Sequence, residues 1–420
     1  MLRKLLTQIG LTILFLGTVF ATSSAWETRI VGKPNTACPN AQYTTITDAL
    51  NAADAGDVIE ICPALYPEQL IITKPLTLRG VLTHVNLASF LPCCNDVDRV
   101  LLQPTLHDRE DLPFEAVITV MDTQNVTIEN LAIDASQNSV SNCNIALSAV
   151  HFYNASGALR NSAVFGAQLP NPQSCSTFPG NGFGVEVDSS ESGPFHVVIS
   201  DNSIHDFQRD GIEVSEAGVN VTIEDNNISG LGPSSGINQF GIFLLNGATG
   251  QITGNVITEG PCGTLSSTDC LNLRSEGIVL RSVGDGVVID SNVINHVQSG
   301  IFLNAVNRAS ITRNWVGNID LLDGIDMQGT SNSLVEANTI FNATPLANQS
   351  EGIFEASGAG SAGGVEENNQ ISNNTVNDAY CGVDFVATSH VTGGKYSNVL
   401  FPLLLSNTQP GPPPTEPPIP

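Results

Sequence analysis

Short runs of alternating apolar and polar residues recur along the chain, and many open on the same pair, a glycine followed by isoleucine or valine. The pair stands at Gly184-Val185, Gly211-Ile212, Gly241-Ile242, Gly277-Ile278, Gly300-Ile301, Gly324-Ile325, Gly352-Ile353 and Gly382-Val383, with spacings of 27, 30, 36, 23, 24, 28 and 30 residues. Between successive pairs lies a second apolar run with an asparagine at its fourth place, as in "IEDNNI" (223–228), "IDSNVI" (289–294) and "VEANTI" (335–340). Alternation over so few residues predicts strands, and a drifting period of this size predicts a solenoid. Each repeat would make one coil that turns three times and stacks in register on its neighbours. Alternation then sends Ile212, Val214, Ile301 and Leu303 inward and Glu213 and Phe302 outward.

The recurring asparagines, Asn202, Asn226, Asn255, Asn292, Asn314, Asn338 and Asn374, fall at one corner of every coil. Stacked there, their amides can bond along the axis, and asparagine also tolerates a left-handed corner, so the row reads as structural. The long 36-residue interval holds "PCGTLSSTDC" (261–270), and a second irregular stretch spans 168–182. Such loops in solenoids gather on one face and shape a binding site.

Upstream, residues 43–80 read as a short amphipathic helix, the strands "VIEI" and "LIIT", and then "LTLRG". Tyr43, Ile46, Ala49, Gly56-Asp57, Tyr66, Glu68, Lys74-Pro75-Leu76 and Gly80 carry a resemblance to the N-terminal cap of the right-handed parallel β-helix proteins, the pectin lyase-like superfamily. The coil pattern extends it to about residue 388. The resemblance implies an all-β, right-handed parallel β-helix with an N-terminal helical cap, of about eleven coils. It implies no single activity, because that fold hosts lyases, hydrolases, esterases, epimerases and non-enzymatic surface proteins.

The expected organisation is a signal peptide at 1–25, a β-helix at 26–405 with its cap region at 26–57, and a Pro-rich tail at 406–420. The run 398–407 is apolar and strand-like, suited to covering the last coil. Loss of Arg3 and Lys4 with the signal would lower the formal charge of −26 by two. So acidic a surface disfavours nucleic acid and anionic membrane and suits glycans, cations or a basic partner. The expectation is a secreted or cell-surface protein, monomeric, without stable membrane insertion, that meets polysaccharide. Nine cysteines in an exported chain predict disulfides with at least one cysteine left over. Cys38 with Cys62, Cys143 with Cys175 and Cys262 with Cys270 are candidate pairs, and Cys93-Cys94 is unassigned. No Cys-x-x-Cys pair or His/Cys cluster stands in the sequence, which argues against zinc.

The motifs of pectate lyases, alginate-type lyases, mannuronan epimerases and pectin methylesterases are absent. "LDGIDM" (322–327) and "RDGIEV" (209–214) look like one segment of polygalacturonases, without its companion motifs. The repeat supplies the better argument. One place before the glycine and two places after it, side chains should face outward along one sheet, and there stand Asp210, Glu213, Glu276, Asp323, Asp326 and Glu351.

Coils rise by about 4.8 Å, placing Asp323 and Glu351 about 5 Å apart and Glu276 about 10 Å from Asp323. Carboxylates about 5–5.5 Å apart suit a retaining glycosidase, those at about 6.5–9.5 Å an inverting one, and crowding of like charges would raise one pKa. Phe243, Phe302 and Phe354, interleaved in the same row, would offer apolar faces to sugar rings. The candidate catalytic residues are therefore Asp323, Asp326 and Glu351, with Asp210 and Glu213 further up; Phe243, Phe302, Phe354 and Glu276 are candidates for substrate binding.

Lyase chemistry with Arg209, Arg274 or Arg281, or Ca²⁺ held by the carboxylates, are alternatives. A non-catalytic glycan-binding or adhesive protein is the competing class, since Asp or Glu before Gly is also ordinary turn chemistry. His205, Asp206 and Arg209 form the closest His-carboxylate-Arg grouping in the sequence.

Overall fold

A computed structural model describes residues 26–34, 38–82, 99–108, 112–170, 181–232, 237–260, 273–319, 322–343, 351–355, 368–385 and 388–405. The expected signal peptide, the Pro-rich tail, Cys93-Cys94, Cys175 and the 261–270 loop lie outside the described residues. Among the described residues, three parallel sheets of 13, 12 and 12 strands form the walls of a solenoid, one coil more than the sequence led us to expect. The front sheet carries the Gly-Ile strands, the second sheet the strand before each corner asparagine, and the third the strand after it. No described helix is long and apolar enough to cross a membrane.

Register makes the core a set of vertical columns. Ile278, Ile301, Ile325 and Ile353 stack in the front sheet. Ile223, Ile252, Ile289 and Ile311 stack in the second, and Ile228, Ile257 and Ile294 in the third. All are fully buried. A column keeps one residue type because each strand lies at the same distance from the axis as the strand above.

The recurring glycine has a steric cause. A Cβ on Gly324 would lie 2.5 Å from Ile340 Cγ2 and 2.6 Å from the Gly352 carbonyl oxygen, and Gly184, Gly211, Gly241, Gly277, Gly300 and Gly352 meet the equivalent pair of atoms. Front and third sheets converge at this point, leaving no room for a side chain.

The asparagine row is a ladder. Oδ1 of each asparagine accepts the backbone N–H of the asparagine one coil earlier at 2.9–3.0 Å, from Asn202 through Asn374. It also accepts the earlier residue's side-chain amide at 2.9–3.0 Å. The left-handed residue is not the asparagine, as expected, but the one before it: Asp201, Asp225, Gly254, Ser291, Arg313, Ala337 and Asn373 all have φ between 54° and 68°. The ladder amide, buried and bonded on both sides, holds the corner firmly enough for Arg313 and Ala337 to adopt that conformation.

At the N-terminal end Thr45 caps the helix Ile46–Ala52, accepting the Asp48 N–H at 3.2 Å. The Glu68 carboxylate accepts the Ile46 and Thr47 N–H groups, while Ile46, Ala49 and Leu50 close the core. A strand the sequence reading missed, Thr28–Val31, pairs with Val58–Ile61. Cys38 and Cys62 are joined, and Cys143 is also disulfide-bonded. Among the described residues Cys381 is a free thiol, and it is buried. At the other end Phe401–Leu405 pairs with Cys381–Phe385. It extends the front sheet rather than covering the coil, and Phe401, Leu403 and Leu405 stay 41%, 50% and 43% exposed.

Candidate functional site

The outer face of the front sheet carries the two rows expected from the repeat. In one, Asp210, Phe240, Glu276 and Ser299 are consecutive register partners. Asp323 and Glu351 continue it through Gly300 N–H to Asp323 O (3.1 Å) and Gly324 N–H to Glu351 O (2.9 Å). In the other, His151, Glu186, Glu213 and Phe243 follow one another, then Val279, Phe302, Asp326 and Phe354. The sheet thus presents two acidic patches with an apolar cluster between them.

That cluster corrects one expectation. Phe243 and Phe302 are only 1% and 2% exposed, packed with Phe240 and Val279 into a satellite core outside the sheet. Phe240 and Phe243 meet edge to face at 5.2 Å, and the Arg281 guanidinium lies 5.8 Å from the Phe243 ring centre. Neither ring offers a face to a sugar; Phe354 alone of the three is partly exposed. Glu276, expected to touch substrate, is 3% exposed. Beside it Glu259 is fully buried and its carboxyl is held well above the usual range by burial, partly offset by the Ser275 hydroxyl and reinforced by Glu276.

The first patch centres on Asp323, Asp326 and Glu351. Asp323 Oδ1 accepts the Glu351 N–H at 2.8 Å, so adjacent coils lock the two residues together. Asp326 Oδ2 accepts from the Gln328 amide at 3.2 Å, while Asp326 Oδ1 and Glu351 Oε2 are buried atoms without a hydrogen-bond partner. Burial pushes Asp323 up to about 7, against the opposing pull of the Glu351 amide and Arg274 and with Asp384 adding to the rise. Burial, then the charges of Asp323, Asp384 and Asp326, push Glu351 to about 9. Asp326 is raised well above the carboxylate range, first by burial and then by Asp323. Desolvation thus outweighs the like-charge crowding that the sequence suggested. Cys381, next in the row, is pushed to about 12 by burial and then by Glu351, which leaves it a protonated thiol and no nucleophile.

The second patch holds Asp210 and Glu213, which the sequence singled out, and His151, Ser148 and Asp188, which it did not. Asp210 is fully buried with Arg209 Nε at 3.6 Å; burial raises its carboxyl well above the usual range despite Arg209, and Glu213 adds to the rise. Glu186 accepts the Ser148 hydroxyl and is raised to about 7 by burial, with His151 opposing and Asp188 adding. His151 is fully buried, its Nε2 2.7 Å from Asp188 Oδ1 and its Nδ1 3.9 Å from Glu186 Oε2. Burial alone would depress its pKa, but the Glu186 and Asp188 charges outweigh burial and raise it.

The signal for this histidine was weak, because Ala149 stands across from Gly184 in its strand and the glycine that marks the register is missing. His205 and Asp206 do pair, at 2.8 Å, but on the third sheet, with His205 stacked on Phe165. Arg209 turns instead to Asp210, so the three do not assemble.

The Ca²⁺ expectation fits the oxygen donors of Asp323, Asp326 and Glu351 in type, but Arg274 already supplies positive charge beside Asp323 and Asp326. Ligand atoms converge within 4.8 Å of one another at His151, Glu186 and Asp188, the one such group among the described residues.

A search of the curated proteins finds no match. Among solved structures, the A-module of the Azotobacter vinelandii mannuronan C-5 epimerase is similar over 86% of this chain and 93% of its own, at 13% identity and a TM-score of 0.53. A PL6 alginate lyase in complex with a trisaccharide is similar over 92% and 88%, at 12% identity and a TM-score of 0.51. The Dettilon tailspike protein is similar over 81% of this chain and 62% of its own, at 15% identity and a TM-score of 0.51. At such identities the likeness is one of fold. The sequence profile described as "Right handed beta helix region" matches residues 174–394, just over half of the chain. With three parallel sheets coiled around a single core and that profile across its central repeats, the chain belongs to the right-handed β-helix family.

Proposed function

We propose that this β-helix acts outside the cell, as a monomer, on a polysaccharide laid along the outer face of the front sheet, and that it cleaves the chain by hydrolysis at Asp323 and Glu351. The observation that carries the reading is the locked pair itself: two carboxyls on adjacent coils, one raised to about 7 and the other to about 9. Near pH 8 such a pair holds one proton on Glu351 and a negative charge on Asp323, an acid beside a nucleophile.

One strand spacing, about 4.8 Å, is close to the separation of retaining glycosidases. Glu351 protonates the departing glycosidic oxygen as its bond to the anomeric carbon breaks, and Asp323 bonds to that carbon. The ionised Glu351 then takes a proton from the water that displaces Asp323. Asp326 adjoins the pair, Phe354 offers a partly exposed ring to a sugar, and the partly exposed Glu213 contacts the chain further along, whereas Asp210, fully buried, does not reach it.

The fold neighbours support a carbohydrate ligand by analogy only, and the Cys38–Cys62 disulfide suits an oxidising compartment. Burial of Phe243 and Phe302 weighs against the non-catalytic binder, which called for an exposed aromatic ladder. One observation favours a second reading: Arg274 beside Asp323 and Asp326 could neutralise a uronate and serve a lyase.

The test is a screen of the protein on neutral and uronate polysaccharides, following reducing ends and ultraviolet absorbance together. Hydrolysis predicts reducing ends without absorbance, a rate that rises through pH about 7 and falls through about 9, and losses of about 10²–10⁴-fold in Glu351→Gln and Asp323→Asn. Absorbance would transfer the site to the lyase reading. Silence across the panel would overturn both.

A further inference from the structure

We infer that His151, Glu186 and Asp188 form a binding site for one first-row divalent cation, Zn²⁺ or Mn²⁺, separate from the Asp323–Glu351 pair. Two strands build it. Glu186 is the register partner of His151, and Asp188 lies two residues further along the same strand, on the same face and opposite Tyr153. A histidine facing one carboxylate across the ladder and a second diagonally is a triangle that a parallel sheet produces without distortion. The three side chains bring ligand atoms within 4.8 Å of one another.

A second observation points to a ligand. His151 is fully buried, and its Nδ1 has no hydrogen-bond partner although Glu186 Oε2 lies 3.9 Å away. A buried imidazole nitrogen is ordinarily satisfied. Here the ring is held on edge by Phe114, at 4.3 Å between centres and 83° between planes, so it cannot turn freely to find another partner.

Charge argues the same way. Glu186, Asp188, Asp210 and Glu213 crowd this end of the sheet, and Arg209 is the cation seen among them, already drawn to Asp210. One imidazole nitrogen with two carboxylates is a donor set for Zn²⁺ or Mn²⁺, whereas Ca²⁺ prefers oxygen alone and more of it. Ser148, whose hydroxyl donates to Glu186, orients that carboxylate as an outer partner. The Asp188 side chain is 30% exposed, so the cation would keep a coordination position open to solvent.

The experiment is titration calorimetry of the chelator-treated full chain with Zn²⁺ and, separately, Mn²⁺, with Co²⁺ absorption spectra as a second readout. The expected result is one equivalent bound, a Co²⁺ spectrum of nitrogen and oxygen ligation, and affinity at least tenfold weaker in Asp188→Asn and Glu186→Gln. Asp188→Asn is the informative variant if the buried Glu186→Gln or His151→Gln fails to fold, because Asp188 reaches the surface. No saturable binding, binding unchanged in Asp188→Asn, or displacement of Zn²⁺ by equimolar Ca²⁺ would each overturn the inference. Loss of hydrolysis in the earlier screen would not bear on it, since the readout is binding.

Discussion

Gly324 illustrates how little freedom a single residue has here. Any side chain would meet Ile340 and the Gly352 carbonyl at once, one of them backbone that cannot retreat. Gly324→Ala is therefore expected to destabilise the protein by about 1–3 kcal/mol, the usual cost of overpacking a tight core, read as a lower urea midpoint with an unchanged slope. This constraint also explains what was legible in the sequence. From Gly184 to Gly352 a Cβ would clash in every coil, so the row announced itself and placed Asp210, Glu276, Asp323 and Glu351 in register. Where Ala149 stands in its place the signal vanished, and with it His151 and Ser148. Alternation told which side of the sheet Phe243 and Phe302 occupy. It could not tell that they pack into a second apolar layer, because burial depends on residues distant in sequence.

At the scale of the element, the corner ladder ties each coil to the next. Asn292 accepts both the backbone and the side-chain N–H of Asn255. Asn292→Ala would leave the buried Asn255 backbone N–H without an acceptor, while the Asn255 amide keeps the Ile223 and Thr253 carbonyls, and a loss of about 1–3 kcal/mol is expected from that one desolvated donor. Hydrogen exchange should show the increase in local opening concentrated at Asn255 and Asn292, with the N-terminal helix unaffected. Exchange raised evenly along the chain would mean that the ladder transmits the defect rather than confining it. The ladder was visible in the sequence because its residues are identical. The left-handed residue beside it was not, since Asp, Gly, Ser, Arg, Ala and Asn all fill that place. The strand Thr28–Val31 was missed for a similar reason: four residues outside the repeat carry no period.

The whole molecule stores protons. Asp323, Glu351, Asp326, Asp210 and Glu259 all bind protons more tightly folded than unfolded, chiefly through burial. A carboxyl with a raised pKa stabilises the fold fully below its unfolded value, and that contribution is lost as pH rises through the folded value. Asp57 and Asp290 are lowered instead, and their contribution is lost only in acid. The melting temperature should thus fall as pH rises from about 5 to about 9, and the double variant Asp323→Asn, Glu351→Gln should flatten that slope. An unchanged slope would show that these groups ionise normally. Both acidic patches ride on one continuous sheet, Glu186 and Asp326 being five register steps apart, about 24 Å at one strand spacing each. The sheet works as a graduated ruler: whole coils added or lost would change that interval in fixed increments, and changes confined to a corner would not. A small sugar can visit one graduation or the other, while an extended polymer aligned with the axis can register with both.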